Sequence, residues 1–118
     1  WSDPDIPPAN SINYYESVVH RMGRNSSYAL RDTKEFYRLF MVPGMQHCSG
    51  GPGTTRFDAL AALEQWVEQN KAPDQIVAAR ATNGLIDRTR PLCAYPQEAK
   101  YKGSGSTDDA ANFVCSLP

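Results

Sequence analysis

No run of apolar residues in the sequence reaches membrane-spanning length, which excludes a transmembrane helix. A charge excess is also missing: 12 Lys and Arg stand against 13 Asp and Glu, for a formal net charge of −1. With no basic stripe, the electrostatic footprint of a nucleic-acid binder is absent. The first residue is Trp1 rather than Met, no secretory leader opens the sequence, and no element leads into the Trp1-Ser2-Asp3-Pro4 turn. The expectation is a processed or excised piece of a longer protein. Cysteine is scarce and odd in number, at three, which suggests either a partner thiol elsewhere or a free one. Cys93 and Cys115 fall in the last third of the chain, and such a pair favours an oxidising compartment. None of the serines stands in a Gly-x-Ser-x-Gly elbow between a strand and a helix.

The stretch that is present and informative runs from Phe40 to Gly53. A short apolar run stops at Pro43-Gly44. His47 follows three residues later, then Cys48, then the glycine-rich Gly50-Gly51-Pro52-Gly53. A buried strand ending in a tight loop that presents a histidine suits the delivery of a general base. Ahead of it, three prolines between Asp3 and Pro8 read as a loop, and Pro8 suits a first helical position. Ile12, Tyr15, Val19 and Met22, spaced by threes and fours, predict a helix that ends at Gly23. Arg24 to Thr33 is polar and reads as a surface loop. Phe36 to Val42 is apolar apart from Arg38 and reads as a strand buried on both faces of a parallel sheet. Thr55 with Asp58 resembles a capping box for a second helix carrying Phe57, Leu60, Leu63 and Val67, with Trp66 beside them. Asn70 to Pro73 ends that helix, and Gln75 to Thr82 reads as a second strand.

From Asn83 onward the periodicity fades. The tail reads as extended or turn-rich chain, with one helical turn between Asp108 and Phe113. Strands alternating with helices argue for an α/β sheet with right-handed crossovers. Two strands cannot close such a sheet, so both helices are expected to carry bare apolar faces, and the chain to be the C-terminal portion of a larger sheet domain.

For chemistry, the order acid, helix, strand, histidine fits the last two members of a hydrolase triad, with Asp3 as acid and His47 as base. Taken singly, Asp3 reads first as a loop aspartate that caps backbone amides, and His47 as a surface histidine; their order together is what suggests the pair. A nucleophile is harder to find. Ser49 lies two residues from His47 in one loop, where it cannot easily turn towards the imidazole along an attack line. A Cys48 thiolate beside His47 is a second alternative, although adjacent side chains usually point apart. His20 reads as a solvated helix residue, and Trp66 as core. Arg88 and Arg90 could bind an acidic group or make surface hydrogen bonds.

The sequence resembles the C-terminal part of the tannase and feruloyl esterase family. The matching stretches are Asp3-Pro4 with Ile6-Pro7-Pro8 and Tyr14-Tyr15, then Phe36 through Met45, then His47-Cys48 with Gly50-Gly51-Pro52-Gly53. They continue through Phe57-Asp58-Ala59-Leu60, Trp66-Val67-Glu68, Lys71-Ala72-Pro73, Arg88 to Cys93, Tyr95-Pro96, Tyr101 to Gly105, and Asn112 to Cys115. The resemblance implies a secreted or periplasmic α/β-hydrolase serine esterase for aromatic-acid esters such as gallates and hydroxycinnamates. It makes Asp3 the triad acid, preferred over Asp5 because it directly precedes proline, and His47 the general base. It makes Cys48 half of a disulfide to a cysteine beside the catalytic serine, both upstream of this sequence. The partner so implied is the remainder of the hydrolase chain, which could be disulfide-linked through Cys48. Cys93 and Cys115 are expected to pair with each other, the alternative being two free buried thiols. No cofactor is expected in this chain; a calcium ion belongs, on this resemblance, to a lid domain outside it. Alone, the piece is expected to be inactive. The competing reading is a non-catalytic interaction fragment that oligomerises through its exposed helix faces.

Overall fold

The computed structural model describes residues 2–23 and 27–118. Helix α1 spans Ala9–Gly23. It begins beside the paired prolines, whose carbonyls accept from the Asn10 and Ser11 amides at 2.9 and 3.2 Å. Of its expected apolar face, Tyr15 is fully buried, Ile12 and Val19 are half-buried, and Met22 is exposed.

Helix α2, Ser27–Lys34, lies where a surface loop was expected. Arg24, Asn25 and Ser26, the start of that expected loop, lie outside the described residues. What makes the helix is a narrow seam of small residues. Ala29 and Thr33 lie four apart and are buried, and the Thr33 hydroxyl donates to the Ala29 carbonyl at 2.7 Å. Such a seam carries too little hydrophobicity to stand out from its polar surroundings.

The segment from Phe36 to Val42 is extended but is not a doubly buried strand. It makes a one-residue antiparallel bridge, Phe40 to Ala94, and the Leu39 carbonyl accepts from the Tyr95 amide at 2.8 Å. Phe36 is exposed and the rest of the segment is half-buried. An apolar strand with one bridge has a single flank in this chain, and its composition signals burial that the described residues do not provide.

Helix α3, Ala59–Gln69, is capped by Asp58 itself, which accepts from the Ala61 amide at 2.8 Å, and not by a box led from Thr55. Asn70 closes it in the left-handed conformation, at φ 55°. The expected bare face is there: Leu60, Leu63 and Val67 are all exposed.

The strands are antiparallel, not parallel. Strand β1 is Gln75–Thr82 and strand β2 is Leu85–Cys93, paired from Gln75 with Cys93 to Thr82 with Leu85. The two-residue turn between them is Asn83-Gly84, with φ of 52° and 83°. That is the turn whose twist matches a hairpin, and Asn-Gly is its strongest signal. The tail, expected as extended or turn-rich chain, is extended here as paired strand. Strand β3, Glu98–Tyr101, pairs with strand β4, Phe113–Ser116, and a short 3-10 turn at Ala110–Asn112 leads into β4. The described strands thus form two small antiparallel sheets, and the described chain is a small α+β arrangement.

Side-chain contacts join these pieces. Tyr15 packs at a tilt against Tyr37, at 5.2 Å between ring centroids, and edge-to-face against Tyr95, at 5.8 Å. The Tyr95 hydroxyl donates to Glu16 at 2.7 Å; that bond, with partial burial, pushes its pKa up to about 12. The Arg90 guanidinium lies 3.9 Å over the Phe113 ring, and Arg88 pairs with Asp108. A disulfide joins Cys93 at the end of β2 to Cys115 in β4.

Cys93 and Cys115 are 22 residues apart. By loop-closure entropy, replacing both with Ala should lower stability by about 3 kcal/mol, read as a fall in urea midpoint that vanishes when both proteins are reduced. The Tyr15 hydroxyl is buried with no hydrogen-bond partner among the described residues. Tyr15→Phe should therefore hold or raise the melting temperature, by up to about 1 kcal/mol of stability.

Candidate active site

Asp3 and His47 are 44 residues apart in sequence and meet in space. Asp3 sits in the proline-rich lead into α1. Its Oδ1 accepts from the backbone amides of Asp5 at 2.8 Å and Ile6 at 3.0 Å. Its Oδ2 lies 3.1 Å from His47 Nδ1. The two alternatives open for Asp3, capping local amides or partnering an imidazole, are realised together, one by each oxygen. The amide bonds to Ile6 and Asp5, and secondarily the imidazole, hold the Asp3 carboxyl below the usual carboxylate range. An ionised carboxylate can only accept, so Nδ1 carries the proton and the Nε2 lone pair is the one left for proton exchange. The Asp3 side chain is 22% exposed and that of His47 42%, so the pair is open to solvent on the histidine side.

His47 rides on a tight excursion of the chain. The Met45 amide donates to the Val42 carbonyl, the Gln46 amide to Gly50, and the Ser49 amide to the His47 carbonyl, at 3.3, 3.1 and 2.8 Å. Cys48 takes a left-handed backbone, φ 62°, which a residue with a Cβ rarely adopts. Its thiol is exposed and unpaired, while the other two cysteines are bridged to each other. Among the described residues, no hydrogen bond joins Ser49 or Cys48 to the imidazole. The structure brings Asp3 and His47 together, and among the described residues it leaves Ser49 and Cys48 out of that contact.

Asp5 is exposed next to this pair; one ligand-type atom from each of Asp3, Asp5 and His47 falls within a 4.8 Å cluster. His20 is exposed on α1, as expected. Trp66 is half-buried and takes the Arg38 guanidinium 5.3 Å from its ring. Arg88 and Arg90 are engaged with Asp108 and Phe113. A cleft of about 630 Å³ opens between Ile12, Met41, Arg90, Leu92 and Tyr95, and neither Asp3 nor His47 lines it. No described helix is long and apolar enough to cross a membrane.

The chain's relatives are ester hydrolases by name. An uncharacterized esterase of Xanthomonas campestris pv. campestris is 48% identical over 141 aligned residues, covering 98% of this chain and 24% of that protein. The mono(2-hydroxyethyl) terephthalate hydrolase of Piscinibacter sakaiensis is 50% identical over 120 residues, covering 99% of this chain and 19% of that protein. The crystal structure of feruloyl esterase B from Aspergillus oryzae superposes with a TM-score of 0.86 at 28% identity, over 97% of this chain and 25% of that one. More narrowly, the chain belongs to the tannase and feruloyl esterase family, whose model matches residues 1–116. It spans about a fifth to a quarter of the length of these relatives.

Because the folded carboxyl of Asp3 is more acidic than in the unfolded chain, its charge contributes stability that is present above about pH 3.9 and lost as pH falls through the lower folded value. Asp3→Asn keeps an oxygen for the two amides but has no charge to titrate. Its acid-unfolding curve should be flatter than that of wild type below about pH 4, measured by circular dichroism.

Proposed function

We propose that this chain supplies the acid and the base of a serine ester hydrolase acting on esters of aromatic acids. The observation that carries the reading is the 3.1 Å contact between His47 Nδ1 and an Asp3 carboxylate already fixed by two backbone amides. This arrangement orients an imidazole, fixes its tautomer and stabilises the cation it becomes. His47 Nε2 takes the proton of a serine hydroxyl as the oxygen attacks the ester carbonyl. It then protonates the departing alcohol, and in the second half activates water against the acyl-enzyme.

The serine belongs to the portion of the longer protein that precedes these residues, in keeping with the fifth to a quarter of its relatives that the chain covers. Cys48, exposed and unpaired beside the base, is assigned to a disulfide with a cysteine next to that serine. The fold reading follows suit: the chain is the C-terminal piece of an α/β-hydrolase domain whose remaining strands flank Phe36 to Val42 and whose helices cover α3. An aromatic acyl group is favoured because the relatives are named for feruloyl and terephthalate esters. The proposed chemistry needs no cofactor from this chain; calcium, where present, belongs to a lid domain. A secreted or periplasmic setting suits the Cys93–Cys115 bridge. The exposed Leu60, Leu63 and Val67 also suit the competing reading, an interaction fragment without catalysis.

In the complete polypeptide, with methyl ferulate as substrate, Asp3→Asn should lower kcat by about 10⁴-fold and His47→Ala by at least as much, with KM changed little. The 118 residues alone should show no turnover that depends on His47. A complete polypeptide whose kcat survives His47→Ala would defeat the proposal and favour the interaction fragment.

A further inference from the structure

The excursion that carries His47 is pinched shut at its neck, and the pinch tolerates no side chain. Residues 43–44 enter it, residues 51–53 leave it, and the Gly53 amide donates to the Gly44 carbonyl at 3.2 Å across the gap. A Cβ at Gly53 would lie 2.0 Å from the Pro43 carbonyl oxygen, 3.0 Å from the Pro43 carbonyl carbon and 3.1 Å from that of Gly44. One at Gly51 would lie 2.1 Å from the Gly44 oxygen and 3.1 Å from the Gln46 nitrogen. Every one of these atoms is backbone, so no rotamer change relieves the overlap. Gly53, unlike Gly51, does not have a positive φ, so an alanine there is forbidden by the approach of residues 43–44 alone. Gly103 is the opposite case, with φ of 89° and nothing within 4 Å of a built Cβ.

We propose that Gly53, backed by Gly51, is a positioning residue for His47: the close passage of backbone at the neck sets the imidazole against Asp3. The inference rests on the reading of Asp3 and His47 as a catalytic pair. Parting the neck to ordinary contact distance takes about 1 Å or more. The displacement passes into the six residues between, which are closed on themselves by the Gln46–Gly50 and His47–Ser49 bonds and move as a unit. Asp3 does not follow, because its own loop amides hold it. A misplacement of about 1 Å between catalytic groups is worth roughly 100-fold in rate.

The test uses the complete polypeptide and methyl ferulate, with Gly53→Ala, Gly51→Ala, Asp3→Asn, the Gly53→Ala/Asp3→Asn double variant, and Gly103→Ala as a control. Circular dichroism and melting temperature establish that each is folded; Gly51→Ala probes the same neck where Gly53→Ala does not fold. The expected result is a fall in kcat of about 100-fold with KM within about twofold of wild type, and no change in Gly103→Ala. In the Asp3→Asn background the neck substitution should change kcat by less than about threefold, because the contact it disturbs is already lost. A folded neck variant with wild-type kcat overturns the positioning role and leaves the catalytic pair standing. So does a neck variant whose loss is equally large with and without the Asp3 charge, since that is general damage to the loop. Full activity in Asp3→Asn and His47→Ala would instead remove the catalytic pair, and the positioning role with it.

Discussion

The two oxygens of Asp3 are divided between different tasks, and the arrangement of the rest follows from that division. Oδ1 is held by the amides of Asp5 and Ile6, so the carboxylate is a fixed part of the turn into α1 and not a side chain free to rotate. Oδ2 is thereby aimed at His47 Nδ1 before any substrate is present. In the proposed hydrolase, preorganisation of this kind moves a cost from the chemical step into folding. The amide hydrogen bonds also keep the group ionised, so it cannot compete with the imidazole for a proton. Three prolines within six residues restrict the turn further, since each fixes its own φ and removes a donor that would otherwise need a partner.

The imidazole side of the contact is built by other means. Among the described residues, no side-chain hydrogen bond besides that of Asp3 holds His47, and the loop that carries it closes through glycines where two chain segments run too close for a Cβ. The burial around the pair is modest. The hydrophobic core consists of Tyr15, Ala29, Ala78, Leu92, Cys93 and Ala94, mostly small residues, while Leu60, Leu63, Val67, Leu85 and Ile86 are exposed. Covalent and aromatic links compensate in part, with the disulfide and the Arg90–Phe113 contact fastening β4 to β2. An exposed apolar helix face beside a thin core is what a segment of a larger fold presents when considered by itself.

What the sequence disclosed depended on which physical signal each element carries. Helix α1 and strand β1 were legible because the first has apolar spacing of threes and fours and the second a clean β-branched and alanine run between turns. Strand β2 was not: Asp87, Arg88, Thr89 and Arg90 pair with Arg80, Asp108 and Phe113 instead of burying an alternating face, so its period is hidden. Its signal lay in the Asn83-Gly84 turn, a backbone property that hydrophobicity does not report. Phe36 to Val42 misled in the other direction, because composition records the burial a segment is suited to and not the neighbours it has. The meeting of Asp3 with His47 could be expected from chain order and from the family resemblance, but the division of labour between the Asp3 oxygens is visible only in three dimensions.

The bond between Tyr95 and Glu16 spans 79 residues, and beside it Tyr95 packs on Tyr15 of the same helix. Helix α1 is therefore anchored by a residue from far down the chain, and Asp3 stands at the head of that helix. During synthesis Asp3 emerges before that anchor, which emerges only after β1 and β2 have been made. Contacts of such sequence separation form late, because the loop entropy must be lost before they can reward it. The turn that holds Asp3 closes on amides two and three residues away, whereas the helix it leads into gains this anchor only when Tyr95 arrives.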